Sequence, residues 1–513
     1  MMTNQILGRA ARHTFLLLAL GLLAALLNAT APARAIALEQ GGAPMALPRP
    51  AAAPSGAAAI FGLDDGGAIY PNQAALTLAT NTGARWVRVA LNWDTLEATQ
   101  GVYDFTTADT VLNPLLAAGL SPMVFFTGNP AWAANTRCGP VDTKDPNLVA
   151  AFANVLGALA ARYPDVKLWA LYNEVDWDTD NPTHTNGGCF GARTAGGVNT
   201  NGVQDANEYA IMLAAAWQQV HAANPNALLA SGAVAFDNFN TATAPAGYPG
   251  GGAGGVFNYN FTTALFQYMQ AHPLPSGQKY MDMVLFNYYD IYGRYWETRA
   301  KGRGVQAKAA VLRQNMKNAG IPVTSLFVSE TGEDSQNALV GLQGQARCLN
   351  RTMIRGAAAK LEGLVWWTFQ DFPDSAPWPQ NLWKYGVVDQ NLQPKPSYTA
   401  FKTIASELNG LSYRKTLSNK TGFSSIEAYR FVGQGATKIV VWSSSIKSQS
   451  NKTECAWTRN TKLATFKAKR LRVVSYLGSV KLIKDNSKAD KNKTVGQIAI
   501  KVGADPLIVQ LNP

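Results

Sequence analysis

Two glutamates stand at the ends of apolar runs. Glu174 closes Trp169-Ala-Leu-Tyr-Asn-Glu174, and Glu330 closes Ser325-Leu-Phe-Val-Ser-Glu330. A carboxylate taken out of water at such a position is costly unless it has a partner or a task. Two carboxyl groups that face each other can split an acetal such as the link between two sugars. One protonates the departing oxygen, and the other attacks the carbon or activates a water there. Glu333 competes with Glu330 for the second role, but it lies past the end of its run, where a loop or helix-cap role fits better. The other polar and aromatic residues that end apolar runs are Asp64, Arg88, Asn92, Trp93, Asn173, Asp237, Asn287, Tyr289, Trp366 and Trp367. A purely structural set of strands would not require this concentration of carboxylates, amides and indoles. The chain holds 13 Trp, and indoles stack well on the apolar face of a sugar ring.

Positioning these residues requires a scaffold that brings many strand ends to one place. Short apolar runs at Ala59–Leu63, Arg85–Leu91, Ser121–Thr127, Val166–Asn173, Ala227–Val234, Met281–Tyr288, Val323–Ser329 and Gly363–Phe369 read as eight strands. Between them lie helix-like stretches such as Asn147–Arg162, Asn207–Ala223, Val305–Ala319 and Ser335–Leu361. Eight strand–helix units over residues 59–408 predict an α/β fold, a (β/α)8 barrel with enlarged loops, whose chemistry gathers at the C-terminal ends of the strands. Strands 4 and 7 then stand on roughly opposite sides of the mouth, which sets Glu174 across from Glu330. A doubly wound open sheet is disfavoured, because no glycine-rich phosphate loop follows the first strand. After Gly410 the pattern changes to short β-rich runs at Lys438–Ser443, Arg470–Tyr476, Gln497–Val502 and Pro506–Leu511. Residues 409–513 therefore read as a smaller antiparallel, sandwich-like β-domain that buttresses the barrel.

With Asn173-Glu174 after the fourth strand and Glu330 after the seventh, residues 60–408 resemble the clan of retaining (β/α)8-barrel glycoside hydrolases, also called the 4/7 superfamily. Within the clan the chain is most like glycoside hydrolase family 39 or the related family 5. The return Tyr385-Gly-Val-Val-Asp389, followed by Lys395-Pro-Ser-Tyr398 and Ala400-Phe401, carries that narrower likeness, as does the closing Asp505-Pro-Leu-Ile-Val509. The resemblance implies roles. Glu174 is the general acid and then the general base, and Glu330 is the nucleophile. Asn173 bonds the sugar 2-hydroxyl, Arg88 lies beneath Glu330, and Tyr289 donates to Glu330. Trp366 or Trp367 stacks under the sugar, with Trp93 and Asn287 as further substrate contacts. Many clan members carry a His where strand 6 ends. Here the run is Phe286-Asn287-Tyr288-Tyr289, and the amide of Asn287 can donate and accept in its place. The implied reaction is cleavage of a β-xyloside or β-glucoside type of poly- or oligosaccharide by double displacement. It uses no metal and no organic cofactor, and sets the two carboxyl groups about 5–5.5 Å apart. A transglycosylase would use the same residues. A non-catalytic carbohydrate-binding or envelope-attached protein on the same scaffold is the alternative, and the intact residue set argues against it.

Composition bounds the setting. Arg9 and Arg12, the apolar run Phe15–Leu27 and the small-x-small site Ala33-Arg34-Ala35 make residues 1–35 read as a secretory signal peptide, with no membrane span after its removal. Residues 36–58 form an Ala/Pro/Gly-rich linker that cannot bury enough surface to fold alone. A secreted, extracellular location permits disulfides. Of the three pairings open to four Cys, we expect Cys138 with Cys189, in loops over one barrel face, and Cys348 with Cys455, tying barrel to β-domain. No spacing favours a zinc site, and His184 near Cys189 reads as a loop residue. The net charge of +12 is unevenly placed: residues 411–513 hold 19 Lys and Arg against 5 Asp and Glu. That segment is either a solvated surface or an attachment to an acidic polysaccharide or the cell envelope. Nucleic acid is not an expected partner, for want of any recognisable nucleic-acid module.

Overall fold

The computed structural model describes residues 55–177, 189–192, 196–235, 257–258, 260–289, 296, 302–323, 325–373, 384–444, 455 and 461–513. The expected signal peptide, residues 36–54 of the expected linker, His184 and Asp237 lie outside the described residues.

Eight parallel strands form the centre: β1 Phe61–Asp64, β2 Trp86–Asn92, β3 Ser121–Thr127, β4 Leu168–Leu171, β5 Leu228–Ser231, β6 Val284–Asn287, β7 Leu326–Thr331 and β8 Gly363–Trp366. They hydrogen-bond in the order β5-β4-β3-β2-β1-β8-β7-β6. Parallel bridges at Ala230–Met283 and Val234–Phe286 join β5 to β6 and close the ring. A helix packs behind each strand; these helices include Pro146–Arg162 after β3, Val305–Asn318 after β6 and Gly341–Ala358 after β7. The fold is therefore the (β/α)8 barrel read from the sequence. Helix starts follow local chemistry: Asp145 accepts from Asn147 N ahead of Pro146, and Asn72 accepts from Ala74 N ahead of the helix Gln73–Asn81.

Two-residue alternation sorts the strand side chains. Met123, Phe125, Leu168, Ala170, Met283, Leu285, Phe327 and Val365 fill the barrel interior. Val124, Phe126, Trp169, Leu171, Leu364 and Trp366 face the helical layer. The rings of Trp86 and Phe327 meet edge-on at 5.5 Å across the interior. They fit because β1 and β8 carry glycine there. A β-carbon on Gly62 would stand 2.7 Å from that of Trp86, and one on Gly363 would strike the Phe327 ring.

The second unit is antiparallel throughout. Strands β9 Ser412–Thr416, β10 Ile426–Gly433, β11 Ala436–Ser443, β13 Arg470–Ser475, β14 Val480–Lys484 and β16 Leu507–Leu511 form a six-stranded sheet in the order β14-β13-β16-β11-β10-β9. Strands β12 Lys462–Lys467 and β15 Gln497–Val502 pair separately. Ile426, Ile439, Val441, Phe466, Ile498, Ile500 and Val509 make the core between them.

The helix Gly341–Ala358 is buried on both sides, by the barrel and by this β-domain. Its outer stripe is Arg347, Arg351 and Arg355, spaced one turn apart. Arg347 pairs with Asp505 at 2.7 Å, and Arg351 donates to the Ala504 carbonyl. Arg355 grips both oxygens of Glu427 at 2.7 and 2.8 Å, and Tyr429 donates to the same carboxylate. The Cys348–Cys455 disulfide lies in the same stripe, and Cys138 pairs with Cys189. Both pairings are those expected from the sequence. Among the described residues no helix is long and apolar enough to cross a membrane. Arg355→Ala leaves Glu427, which is 1 % exposed, without its two-point partner and with only the more distant guanidinium of Arg303, at 3.8 Å. Breaking a buried pair costs about 3–5 kcal/mol, so denaturant unfolding should register a loss of that size.

Candidate active site

The chain enters the site differently on each strand. On β4 regular pairing stops at Leu171, two residues before the end expected from the apolar run. Tyr172 and Glu174 then take φ of 65° and 43°. This left-handed backbone is unfavourable for side chains other than glycine and concentrates at functional sites. The surroundings hold it in place. The Tyr172 hydroxyl donates to Asn129 Oδ1, whose amide donates to the carbonyls of Thr136 and Gly139. Val175 N donates to the Ala233 carbonyl, and Phe190 N to the Val175 carbonyl. The disulfide packs against the same turn, with the Cys189 sulfur 3.6 Å from the Asn173 carbonyl oxygen. The turn aims Glu174 into the barrel mouth, where it is 4 % exposed.

Strand β7 brings Glu330 by a bulge. The register of β6 on β7 shifts between Phe286 and Asn287, so that Asn287 pairs with Glu330. A bulge breaks strict alternation and lets neighbouring residues reach one side. Ser329 and Glu330 accordingly both engage the site. Arg88 donates from β2 to Glu330 Oε1 at 2.9 Å and to Asp64 Oδ2 at 2.6 Å. Tyr289 donates to Glu330 Oε2 at 3.0 Å. Arg88 also lies 4.1 Å over the Phe125 ring. Glu174 Oε1 accepts from Asn287 Nδ2 at 3.1 Å, and Asn287 Oδ1 accepts from Ser329 Oγ at 2.8 Å. Asn173 Oδ1 and Glu174 Oε2 are buried and have no hydrogen-bond partner among the described residues.

The electrostatics separate the two glutamates. Burial, then the charge of Glu330, pushes Glu174 up to about 8, against the pull of the Asn287 hydrogen bond; Asp176 adds to the rise and Arg88 opposes it. Burial works against the charge of Arg88, but Glu330 and Asp64 outweigh it, and its pKa rises. Tyr289 is driven well above the ordinary phenol range, first by burial and then by Glu330, so its proton stays on as a donor. Asp64, behind Arg88, is raised by burial to about 6. The arrangement thus holds one carboxyl protonated at neutral pH beside one that is ion-paired.

The structure brings Glu174, Glu330, Arg88, Asn287 and Tyr289 together, with Asn173 beside Glu174. Trp367 lies close by: its ring meets Tyr385 edge-on at 5.0 Å, and Tyr385 meets Tyr289 at 6.4 Å. Trp366 and Trp93 are not brought to the site. Alternation turns Trp366 outward, fully buried, with its indole N–H on the Tyr385 carbonyl. Trp93 opens the short helix Trp93–Leu96, donates to Glu97 and packs on Phe126, Trp132 and Phe152. Both indoles brace the barrel wall. Three further tryptophans lie between the strands and their helices: Trp132 donates to the Glu97 carbonyl, Trp177 packs on Phe257, and Trp296 is buried with the Lys308 ammonium 5.0 Å from its ring. Glu333 is buried, and its carbonyl accepts from Gln345. Sequence reasoning missed the roles of Asp64 and Ser329. Asp64 was visible as a residue ending an apolar run; Ser329 gave no signal beyond its place next to Glu330.

The fold and the carboxyl pair define a class, the (β/α)8 barrels with acidic residues at the ends of strands 4 and 7. No protein-family model matches the chain, and no curated protein sequence matches it. Solved structures do. A family 39 glycoside hydrolase from Bacteroides cellulosilyticus aligns with a TM-score of 0.60 at 17% identity, over 89% of this chain and 82% of that one. A monomeric β-xylosidase from Caulobacter crescentus gives 0.54 at 15%, over 90% and 98%. A family 30 endoxylanase from Clostridium papyrosolvens gives 0.54 at 11%, over 88% and 96%. At these identities the likeness establishes a shared fold, one used by the family that the sequence resembles.

Raised carboxyl pKa values have a stability consequence. Between the unfolded value of 4.5 and the folded value of about 8, the native state binds a proton at Glu174 that the unfolded chain has lost. Stability therefore falls as pH rises through that window. Glu174→Gln, which cannot ionise, should melt at a higher temperature than the parent at pH 8, with the gap narrowing at pH 5. Thermal scans at the two pH values check this.

Proposed function

We propose that the protein is a retaining glycoside hydrolase acting on a poly- or oligosaccharide of the β-xyloside or β-glucoside type. The observation that carries this reading is the opposed state of the two glutamates: Glu174 pushed up to about 8, and Glu330 held between the Arg88 guanidinium and the Tyr289 hydroxyl. In the first half-reaction Glu330 attacks the anomeric carbon while Glu174 gives its proton to the leaving oxygen. In the second, Glu174 takes a proton from the water that displaces Glu330. Retention requires the two carboxyl groups about 5–5.5 Å apart. Asn173 bonds the sugar 2-hydroxyl, and Trp367 forms the floor under the ring. The residues involved perform these steps without metal or organic cofactor.

Two further points belong to this reading. The protein is exported, residues 1–35 serving as the signal and the two disulfides fitting an oxidising compartment. The basic β-domain, besides bracing the barrel, attaches the enzyme to an acidic polysaccharide or the cell envelope. Its described part presents Lys481, Lys484, Lys488, Lys491 and Lys493, all exposed, in support of this.

A panel of aryl β-glycosides tests the reaction class. The parent protein should turn over at least one member. Glu330→Ala should lose that turnover and recover it with azide, releasing a glycosyl azide of inverted configuration. Failure of the whole panel and of xylan- and glucan-type polymers would move the protein to the non-catalytic carbohydrate-binding alternative. With an active substrate, kcat/KM should fall as pH rises through about 8, where Glu174 loses the proton it must donate.

A further inference from the structure

A primary amide offers two different ends, an NH2 that donates and an oxygen that accepts. Facing a carboxyl group, the first end favours the carboxylate and the second favours the protonated acid. Which end Asn287 turns to Glu174 is decided by what holds its other end. That partner is Ser329, whose Oγ lies 2.8 Å from Asn287 Oδ1 and is buried with it. The hydroxyl proton has the amide oxygen to go to. Reversing the amide would leave that proton without an acceptor among the hydrogen bonds described at this site, and an unmet buried donor is costly. Asn287 is fixed at its backbone as well, its carbonyl accepting from Lys308 Nζ at 2.9 Å.

We propose that Ser329 is a positioning residue, whose hydroxyl fixes Asn287 with its NH2 toward Glu174. This inference rests on the hydrolase reading for its purpose, though not for its geometry. Its consequence is specific to the double displacement. Burial alone would leave Glu174 reluctant to release its proton. A fixed donor at 3.1 Å steadies the carboxylate that must exist between the two half-reactions. The strand that carries Glu330 thereby also sets the behaviour of Glu174, one residue upstream and through one amide. The charged and titratable groups around Glu174 are Glu330 on β7, Arg88 on β2, Asp176 in its own loop and Tyr289 after β6. The variants below leave all of them in place.

The test is a carbon-13 carboxyl titration of Glu174 in the whole protein without substrate, its resonance assigned by its loss in Glu174→Gln. Ser329→Ala should raise the midpoint by about one pH unit, the worth of one hydrogen bond to a charged group. Asn287→Leu, which removes the donor without opening space for water, should raise it similarly. Ser329→Thr, which keeps the hydroxyl, should leave it within a few tenths. An unmoved midpoint in Ser329→Ala or in Asn287→Leu overturns the proposal. If the variants do not fold, the parent protein still decides. The Asn287 side-chain NH2 resonances should shift in step with the Glu174 titration, and resonances that stay still overturn the proposal. Because no substrate is present, the two ideas fail separately. Midpoints that move in a protein inactive on every glycoside sustain the orientation by Ser329 and sink the hydrolase reading, and turnover with unmoved midpoints does the reverse.

Discussion

Two carboxyl groups gathered in one buried mouth cannot both ionise without cost, because each raises the price of charge on the other and water is not there to relieve it. The rest of the barrel mouth follows from that repulsion. Glu330 takes the guanidinium of Arg88 and the phenol of Tyr289, while Glu174 is left with a neutral amide. Unequal company resolves the conflict: Glu330 has a cation at hand, and Glu174 keeps its proton. The interior of the barrel supports the division. Arg88 sits over the Phe125 face and is anchored behind by Asp64, so the cation does not drift toward Glu174.

The backbone is shaped to the same end. A straight continuation of β4 would alternate its side chains inward and outward. The left-handed turns at Tyr172 and Glu174 break that rhythm, and the bulge on β7 breaks it again. The β4 turn is unfavourable locally and is held by hydrogen bonds from neighbouring loops, Asn129 on one side and the Val175–Ala233 pair on the other. The Cys138–Cys189 disulfide adds a covalent brace to the loop that covers the turn.

Much of this was legible in the sequence. Apolar runs of the right length are direct evidence of buried strands, so the eight strands, the barrel and the β-domain could be read. The two glutamates stood out because a charge at the end of such a run asks for an explanation. What could not be read was register. Trp366 ends its run as suggestively as Trp367, yet one residue of phase sends it to the helical layer with Leu364. Trp93 follows β2 directly but begins a helical turn, which points it at Phe152 rather than into the mouth. Asp64 meets Arg88 because β1 and β2 pair with those two residues level. Glu330 reaches the mouth alongside Ser329 because of a bulge. Pairing and bulges are settled between strands distant in the chain, and no local pattern encodes them.

The arginine stripe on the helix Gly341–Ala358 bears on the order of events during synthesis. That helix follows directly from β7, so it is made soon after Glu330, yet its partners Glu427, Cys455, Ala504 and Asp505 come much later in the chain. A barrel emerging from the ribosome therefore has eight strands before it has a finished wall, and three cations along one helix wait for the β-domain. The barrel's outer wall is complete only once the β-domain has been made, because the ion pairs and the disulfide that cover this helix all draw on it.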